Sequence, residues 1–211
     1  MLEGGAYMNV QRCLDILREI KDVAFATVDE KGFPQVRIID VMIVENEKLY
    51  FCTARGKDFY KQITSTGRVA ITGLNKSWQT VRVMGKVVKL EEQKKWIDRI
   101  FDENVSMNNV YPGESRYILE AFCVYPKEIE FFDLGKEPIN RERIVTEQVV
   151  LKEYGFMITD DCIGCGKCAI NCPQQCVSEG MPYLIAQNHC LHCRLCYENC
   201  PVQAIERRQE R

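Results

Sequence analysis

CIGCGKCAINCP, residues 162–173, returns 28 positions later as CLHCRLCYENCP, residues 190–201. Each stretch reads C-x2-C-x2-C-x3-C-P. Three thiols spaced by two residues can point inward around one face of a cubane, while the fourth, turned away beside a proline, reaches the cluster of the other half. The expectation is two [4Fe-4S] clusters. One is held by Cys162, Cys165, Cys168 and Cys200, the other by Cys190, Cys193, Cys196 and Cys172. Tetrahedral zinc draws on two separated ligand pairs, so a triplet with a proline-flanked fourth thiol fits it poorly.

The segment 155–211 resembles the bacterial two-cluster ferredoxins. Superposing its halves sets Cys176 against Ala204, so Cys176 reads as a small, buried packing position rather than a ligand. The same superposition sets Gly166 against Arg194, where the second half departs from the pattern. His189 and His192 flank cluster-two cysteines and, with eight thiolates available, read as outer groups. Nothing in the segment offers a nucleophile, a general base or an open metal position. It is expected to conduct electrons.

Composition supports a division of labour. Nine of the 12 cysteines lie between Cys162 and Cys200; only Cys13, Cys52 and Cys123 lie elsewhere. Apolar residues make up 46 % and charged residues 27 %, and the formal charge of -2 gives no electrostatic case for nucleic acid or an anionic membrane. No apolar run approaches the ~18 residues of a membrane span. The start, MLEGGAYMNV, lacks a basic n-region and an apolar h-region, so the expectation is a cytoplasmic protein with reduced thiols that serve metal rather than disulfides.

Upstream, NVQRCLDILREI places Val10, Cys13, Leu14, Leu17 and Ile20 on one helical face, with Asn9 as N-cap. From Val23 the texture changes to short β-rich runs: VAFATV, QVRIIDVMIV, LYFCTA, RVAITG, QTVRVMGKVVKL, YILEAFCVYP and EIEFFDL. KDFYKQIT and EEQKKWIDRIFDE read as inserted helices. The fold class is mainly β plus α+β, with a small β-barrel over residues 1–135. A polar linker, 136–154, possesses one apolar run, VTEQVVL, that reads as a last strand, and the cysteine domain follows at 155–211.

The first 135 residues contain no Rossmann glycine fingerprint, no P-loop and no histidine. Three stretches, PQVRIIDVMI (34–43), LYFCTARGKDFYKQI (49–63) and WQTVRVMGKV (78–87), in this order resemble the pyridoxamine-phosphate-oxidase-like family of FMN-binding split barrels. The nearest look is to the subgroup that includes nitroimidazole-resistance proteins. The resemblance covers about residues 10–135. It implies that Val36, Arg37 and Ile38 lie against FMN, and that Cys52, Thr53 and the basic loop after them hold its phosphate. Arg55, Lys57 and Lys61 are the available cations, and an Arg or Lys beside backbone amides suits a phosphate monoester. The family's usual basic positions fall on Asp58 and Phe59 here, which leaves the phosphate ligand open among those three. Thr80 stands where the family contacts the ring; by alternation Thr80, Arg82 and Met84 share a face, with Val81 and Val83 on the other. Trp78 and Trp96 read as packing aromatics. Family barrels also bind heme or deazaflavin, and they pair as homodimers with FMN in the interface. The segment with which the vitamin enzyme grips pyridoxal phosphate is replaced here by the cysteine domain, which argues against pyridoxamine oxidation.

These features imply an FMN oxidoreductase wired to its own ferredoxin, acting on a small-molecule substrate. The rival readings are an electron carrier or redox sensor that meets only a redox protein partner, and a barrel without cofactor that serves for docking.

Overall fold

In the computed structural model, which describes residues 8–146 and 153–208, the first helix begins where the sequence offers a cap. Asn9 accepts a hydrogen bond from the Arg12 amide at 2.8 Å, and α1, Val10–Ile20, follows. Its buried face holds Val10, Cys13, Leu14 and Leu17 as the spacing indicates, and Ile16 as well.

The strands are β1 (Asp22–Val28), β2 (Pro34–Asp40), β3 (Ile43–Glu45), β4 (Lys48–Ala54), β5 (Arg68–Leu74), β6 (Gln79–Lys89), β7 (Leu119–Asp133) and β8 (Asn140–Val145). Two further helices are α2 (Asp58–Thr66) and α3 (Gln93–Glu103). The sheet runs β2-β1-β5-β6-β7-β4-β3, with β8 paired to β7, and curls into a split half-barrel. Strand β2 is thus an edge of the sheet.

The run QVRIIDVMIV divides into β2 and β3. The Val41 amide donates to Lys21 O at 2.8 Å and the Met42 amide to Tyr50 O at 2.9 Å, so the chain leaves β1 and joins β4 at that point. Conversely, YILEAFCVYP and EIEFFDL merge into the single strand β7, which runs through Pro126. The pairing of β4 with β7 ends at Leu49 and Val124, so the proline lies where that ladder asks for no amide donor.

Inside the curl lies an aromatic centre: Phe51 meets Phe25 edge-on (centroids 5.1 Å) and stacks with Phe122 (5.6 Å). A second cluster, with Tyr50, Cys52, Ile97, Ile100 and Phe101, joins the other face of β4 to α3, and Trp96 stacks on Tyr50 at 4.8 Å. Strand β4 is therefore apolar on both faces. Gly73 lets α1 approach β5, because a Cβ there would meet Ile20 Cδ1 at 2.9 Å and Leu17 Cδ2 at 3.0 Å. On the outer face the register aligns Ile38 with Ala24, Thr72 and Arg82, and Val36 with Ala26, Ala70 and Met84.

Described residues 8–76, 80–131 and 143–146 make one compact unit, and 77–79, 132–142 and 153–208 a second. The strand expected at VTEQVVL (145–151) lies outside the described residues from 147 onward. In the second unit β9 (Phe156–Ile158) pairs with β12 (Ile205–Arg207), and β10 (Val177–Ser178) with β11 (Leu184–Ile185). One-turn helices α4 (Lys167–Ile170) and α5 (Leu195–Glu198) carry the third cysteine of each triplet, Cys168 and Cys196. The buried core is small: Phe156, Cys168, Val177 and Ile205. The repeat is visible in the backbone, where Ala204 O accepts from Thr159 N and Cys176 O from Ala186 N, both at 2.8 Å. Trp78 belongs to this unit and is exposed (62 %), contrary to its reading as a packing aromatic.

Candidate functional site

In the barrel unit, strand alternation separates the expected cofactor residues into groups. Val36 and Ile38 stand on the outer face, 71 % and 62 % exposed, in rows that also carry Arg82 and Met84. Thr80 shares that face, while Val81 and Val83 are buried beneath it, as the alternation predicts. Arg82 pairs with Glu130 at 3.1 Å.

Arg37 turns the other way. Its NH1 donates to Thr27 Oγ1 (2.6 Å) and its NH2 to Gln62 Oε1 (2.8 Å), while the guanidinium lies 4.7 Å from the centre of the Phe59 ring. Burial lowers its pKa from the ordinary value. The arginine thus ties edge strand β2 to helix α2. Thr27, Gln62 and Phe59 were not read from the sequence as partners of Arg37, because partners divided between β1 and α2 leave no local pattern.

Cys52 and Thr53 are both buried but face opposite ways. Cys52 packs toward α3, where burial first and the charge of Asp40 second push its thiol up to about 12. Thr53, which shares the face of Phe51, is 2 % exposed, and its Oγ1 has no hydrogen-bond partner among the described residues. A buried hydroxyl without a partner at the root of the basic loop fits a site that receives a polar ligand group.

The three cations left open by the sequence have different surroundings. Arg55 NH1 donates to Tyr117 O (2.9 Å) and lies 3.7 Å from Glu120 Oε1. Glu120 is itself buried and held by Lys89 at 2.7 Å. Burial alone would raise its pKa, but bonds from Lys89 and Tyr60 outweigh that and lower it. Lys61 pairs with Asp58 at 3.8 Å on an exposed helix face. Lys57 is the N-cap of α2; its side chain makes no capping bond, and no ion pair with another described residue is seen. A cation beside the free amides of a nine-residue helix suits an anion.

In the cysteine unit the eight expected ligands fall into two cavities. One is lined by Cys162, Cys165, Cys168 and Cys200. The other is lined by Cys190, Cys193, Cys196 and Cys172. Each cavity therefore gathers a triplet with the proline-flanked cysteine of the opposite half, the grouping expected from the spacing. The donor set is all thiol, apolar at its margins, and suits an iron–sulfur cluster. Backbone amides already aim at two of the sulfurs, Ala204 N at Cys200 Sγ (3.3 Å) and His192 N at Cys190 Sγ (3.4 Å). Neither histidine lines a cavity: His189 Nδ1 donates to Ile139 O at 2.7 Å, and His192 Nδ1 lies 3.5 Å from Arg141. Cys176, read as a packing residue, is buried as expected but lines the second cavity with the four expected ligands. Its alignment with Ala204 concealed that.

Comparison with known proteins gives two family matches. The pyridoxamine 5'-phosphate oxidase family model matches residues 10–115, and a 4Fe-4S binding domain matches residues 183–206. A ferredoxin from Butyribacterium methylotrophicum is 53 % identical over 30 residues, which is 14 % of this chain. The match spans 54 %, about half, of that ferredoxin's length. Among solved structures, a NimC/NimA family protein from Clostridium acetobutylicum superposes with a TM-score of 0.53 at 23 % identity, over 64 % of this chain and 92 % of the other. A pyridoxamine 5'-phosphate oxidase-related, FMN-binding protein from Nostoc punctiforme superposes with a TM-score of 0.52 at 13 % identity, over 68 % and 93 %. These likenesses show the fold.

Proposed function

The chain belongs to the pyridoxamine 5'-phosphate oxidase family and carries a 4Fe-4S binding domain, and on that basis we propose an FMN-dependent oxidoreductase in which two [4Fe-4S] clusters exchange single electrons with the flavin to convert a small molecule. The observation that carries this reading is the sorting of the eight motif cysteines, four to each of two cavities, within a chain whose other unit has the split-barrel fold. Cluster one takes Cys162, Cys165, Cys168 and Cys200; cluster two takes Cys190, Cys193, Cys196 and Cys172. When bound, flavin trades electrons one or two at a time whereas each cluster passes one, which suits a small-molecule conversion fed by a one-electron carrier.

In the barrel, Lys57 and the first amides of α2 hold the flavin phosphate, with Thr53 Oγ1 as a further polar contact. Arg55 braces the loop through Glu120 and Tyr117 O, and Arg37 fixes the edge strand to α2. Val36 and Ile38 then offer an apolar, exposed edge to a flat ring. An exposed apolar patch of this kind on an edge strand also supports an isologous homodimer through the outer sheet face, joined by Ala24, Ala26, Ala70 and Met84. Among the described residues no helix is long and apolar enough to cross a membrane, and we read the protein as cytoplasmic.

The test is anaerobic purification followed by mass spectrometry of the released cofactor, iron and sulfide assay, and stepwise photoreduction. The reading expects FMN, about eight iron and eight sulfide per chain for two four-iron clusters, and reducing equivalents that equilibrate between clusters and flavin. Clusters that reduce while the flavin stays oxidised under every donor would refute the wiring. Heme or deazaflavin in place of FMN would refute the cofactor.

A further inference from the structure

The two cluster cavities differ in sulfur count. The cavity of Cys172, Cys190, Cys193 and Cys196 is also lined by Cys176, whereas among the described residues the other is lined by four cysteines. Cys176 O and Ala204 O each accept a 2.8 Å bond from a residue shortly before a triplet, so the two positions are held alike, one with a thiol and one with a methyl group. Alanine fills the sister position, so packing does not require sulfur there. Cys176 Sγ lies 3.5 Å from Cys172 Sγ and is 7 % exposed. It lines the same cavity as Cys190, Cys193 and Cys196, and so stands beside the crossing cysteine and faces the triplet's site.

We propose that Cys176 is an exchange ligand of the second cluster site, able to take the iron that Cys172 holds. The proposal rests on the two-cluster assignment above. The backbone between the two residues is a tight turn, with the Gln175 amide donating to Cys172 O at 3.1 Å, and Cys176 is anchored through its own carbonyl. Rotation about side-chain bonds is then sufficient to trade one sulfur for the other. In the exchange the iron–sulfur bond to Cys172 breaks and one to Cys176 forms. The proton of the Cys176 thiol passes to the released Cys172 thiolate, and no electron is gained or lost. The consequence is a second site that survives loss or modification of its crossing ligand, beside a first site that does not.

The two halves control one another in the test, which uses the full chain purified anaerobically, read by iron and sulfide content and by low-temperature electron paramagnetic resonance of the reduced protein. Cys172→Ala is expected to retain the iron of both sites, and Cys200→Ala to lose iron from the first. Cys172→Ala combined with Cys176→Ala is expected to fall to about half the iron. Equal loss in Cys172→Ala and Cys200→Ala overturns the proposal, as does full retention in the double variant. Should Cys172→Ala not fold, the transplant Cys200→Ala with Ala204→Cys reads the same geometry in the other half. Recovery of iron over Cys200→Ala alone supports the proposal, and no recovery overturns it. Wild-type protein with one cluster's worth of iron would instead overturn the two-cluster reading, so the two failures are distinct.

Discussion

The barrel unit and the cysteine unit reach order by opposite means. The barrel buries a continuous apolar centre around Phe25, Phe51 and Phe122 and a second layer under α3, and its strands run to 15 residues. Residues 153–208 have strands of two or three residues, one-turn helices and a small core around Phe156, Val177 and Ile205 that itself includes an expected ligand, Cys168. A segment that buries so little cannot offset its chain entropy by burial alone, so metal binding must supply the folding free energy. The largest expected effect follows. Removal of iron by chelator and mild oxidant should unfold residues 155–208 entirely while the barrel keeps its β circular dichroism. Limited proteolysis checks this: cuts should appear within the cysteine unit only. A protease-resistant cysteine unit without iron would break the comparison.

The converse perturbation sharpens it. Phe51→Ala removes a fully buried ring that touches Phe25, Phe59 and Phe122. It should cost the barrel roughly 3–5 kcal/mol, measured by urea unfolding followed in the far ultraviolet. Iron content and the visible cluster bands should stay at wild-type levels. Iron lost in step with barrel stability would mean that the two units fold as one.

The same contrast governs what the residues disclosed in advance. Cluster chemistry is local: spacing alone placed Cys200 with the first triplet and Cys172 with the second, because the crossing is set by a C-x3-C-P turn. Barrel order was legible through alternation, which put Thr80, Arg82 and Met84 on one face. Tertiary pairing decided the rest. QVRIIDVMIV has one texture but two partners, β1 and then β4, and no property of the run marks the handover at Val41. Arg37 carried a family expectation, yet its neighbours Thr27, Phe59 and Gln62 come from two other elements. The three loop cations were equivalent as letters; only Glu120 and Tyr117, more than 60 positions away from Arg55, separate Arg55 from Lys57. Cys176 was hidden by its alanine counterpart, since alignment shows size and not the direction of a side chain.

Those loop cations give the third test. Loss of a charge-assisted bond to phosphate costs about 1.5–3 kcal/mol, so Lys57→Ala should weaken FMN binding by roughly 10- to 150-fold. Arg55→Ala should change affinity by less than about threefold on the same scale, because Arg55 is already engaged with the fold. It should instead lower barrel stability by about 1 kcal/mol, since Lys89 remains to satisfy Glu120. Titration of the apoprotein by quenching of flavin fluorescence, with urea unfolding beside it, separates the two. A reversed order would move the phosphate to Arg55.

The smallest effect lies at the point where the halves of the cysteine unit differ in backbone chemistry. Gly166 and Arg194 both cap their one-turn helices in the left-handed region, at φ 71° and 75°. Glycine adopts that conformation without strain, whereas a residue with a Cβ is strained there by about 1–2 kcal/mol. Arg194 offsets part of this by lying over Tyr197 (4.7 Å) and near Glu198 (3.6 Å), interactions worth about 0.5–1 kcal/mol together at an exposed site. Arg194→Gly exchanges strain for lost contacts and a looser unfolded chain, and should shift holoprotein stability by less than about 0.5 kcal/mol. Gly166→Ala has no such compensation. Its Cβ would enter the same strained region and lie 3.3 Å from the Tyr183 hydroxyl, so it should cost about 1 kcal/mol or more. The thermal midpoint for loss of cluster absorbance under anaerobic conditions reads both. If Arg194→Gly proves the more damaging of the two, the arginine is retained for its side chain, and the second half is held by more than its ligands.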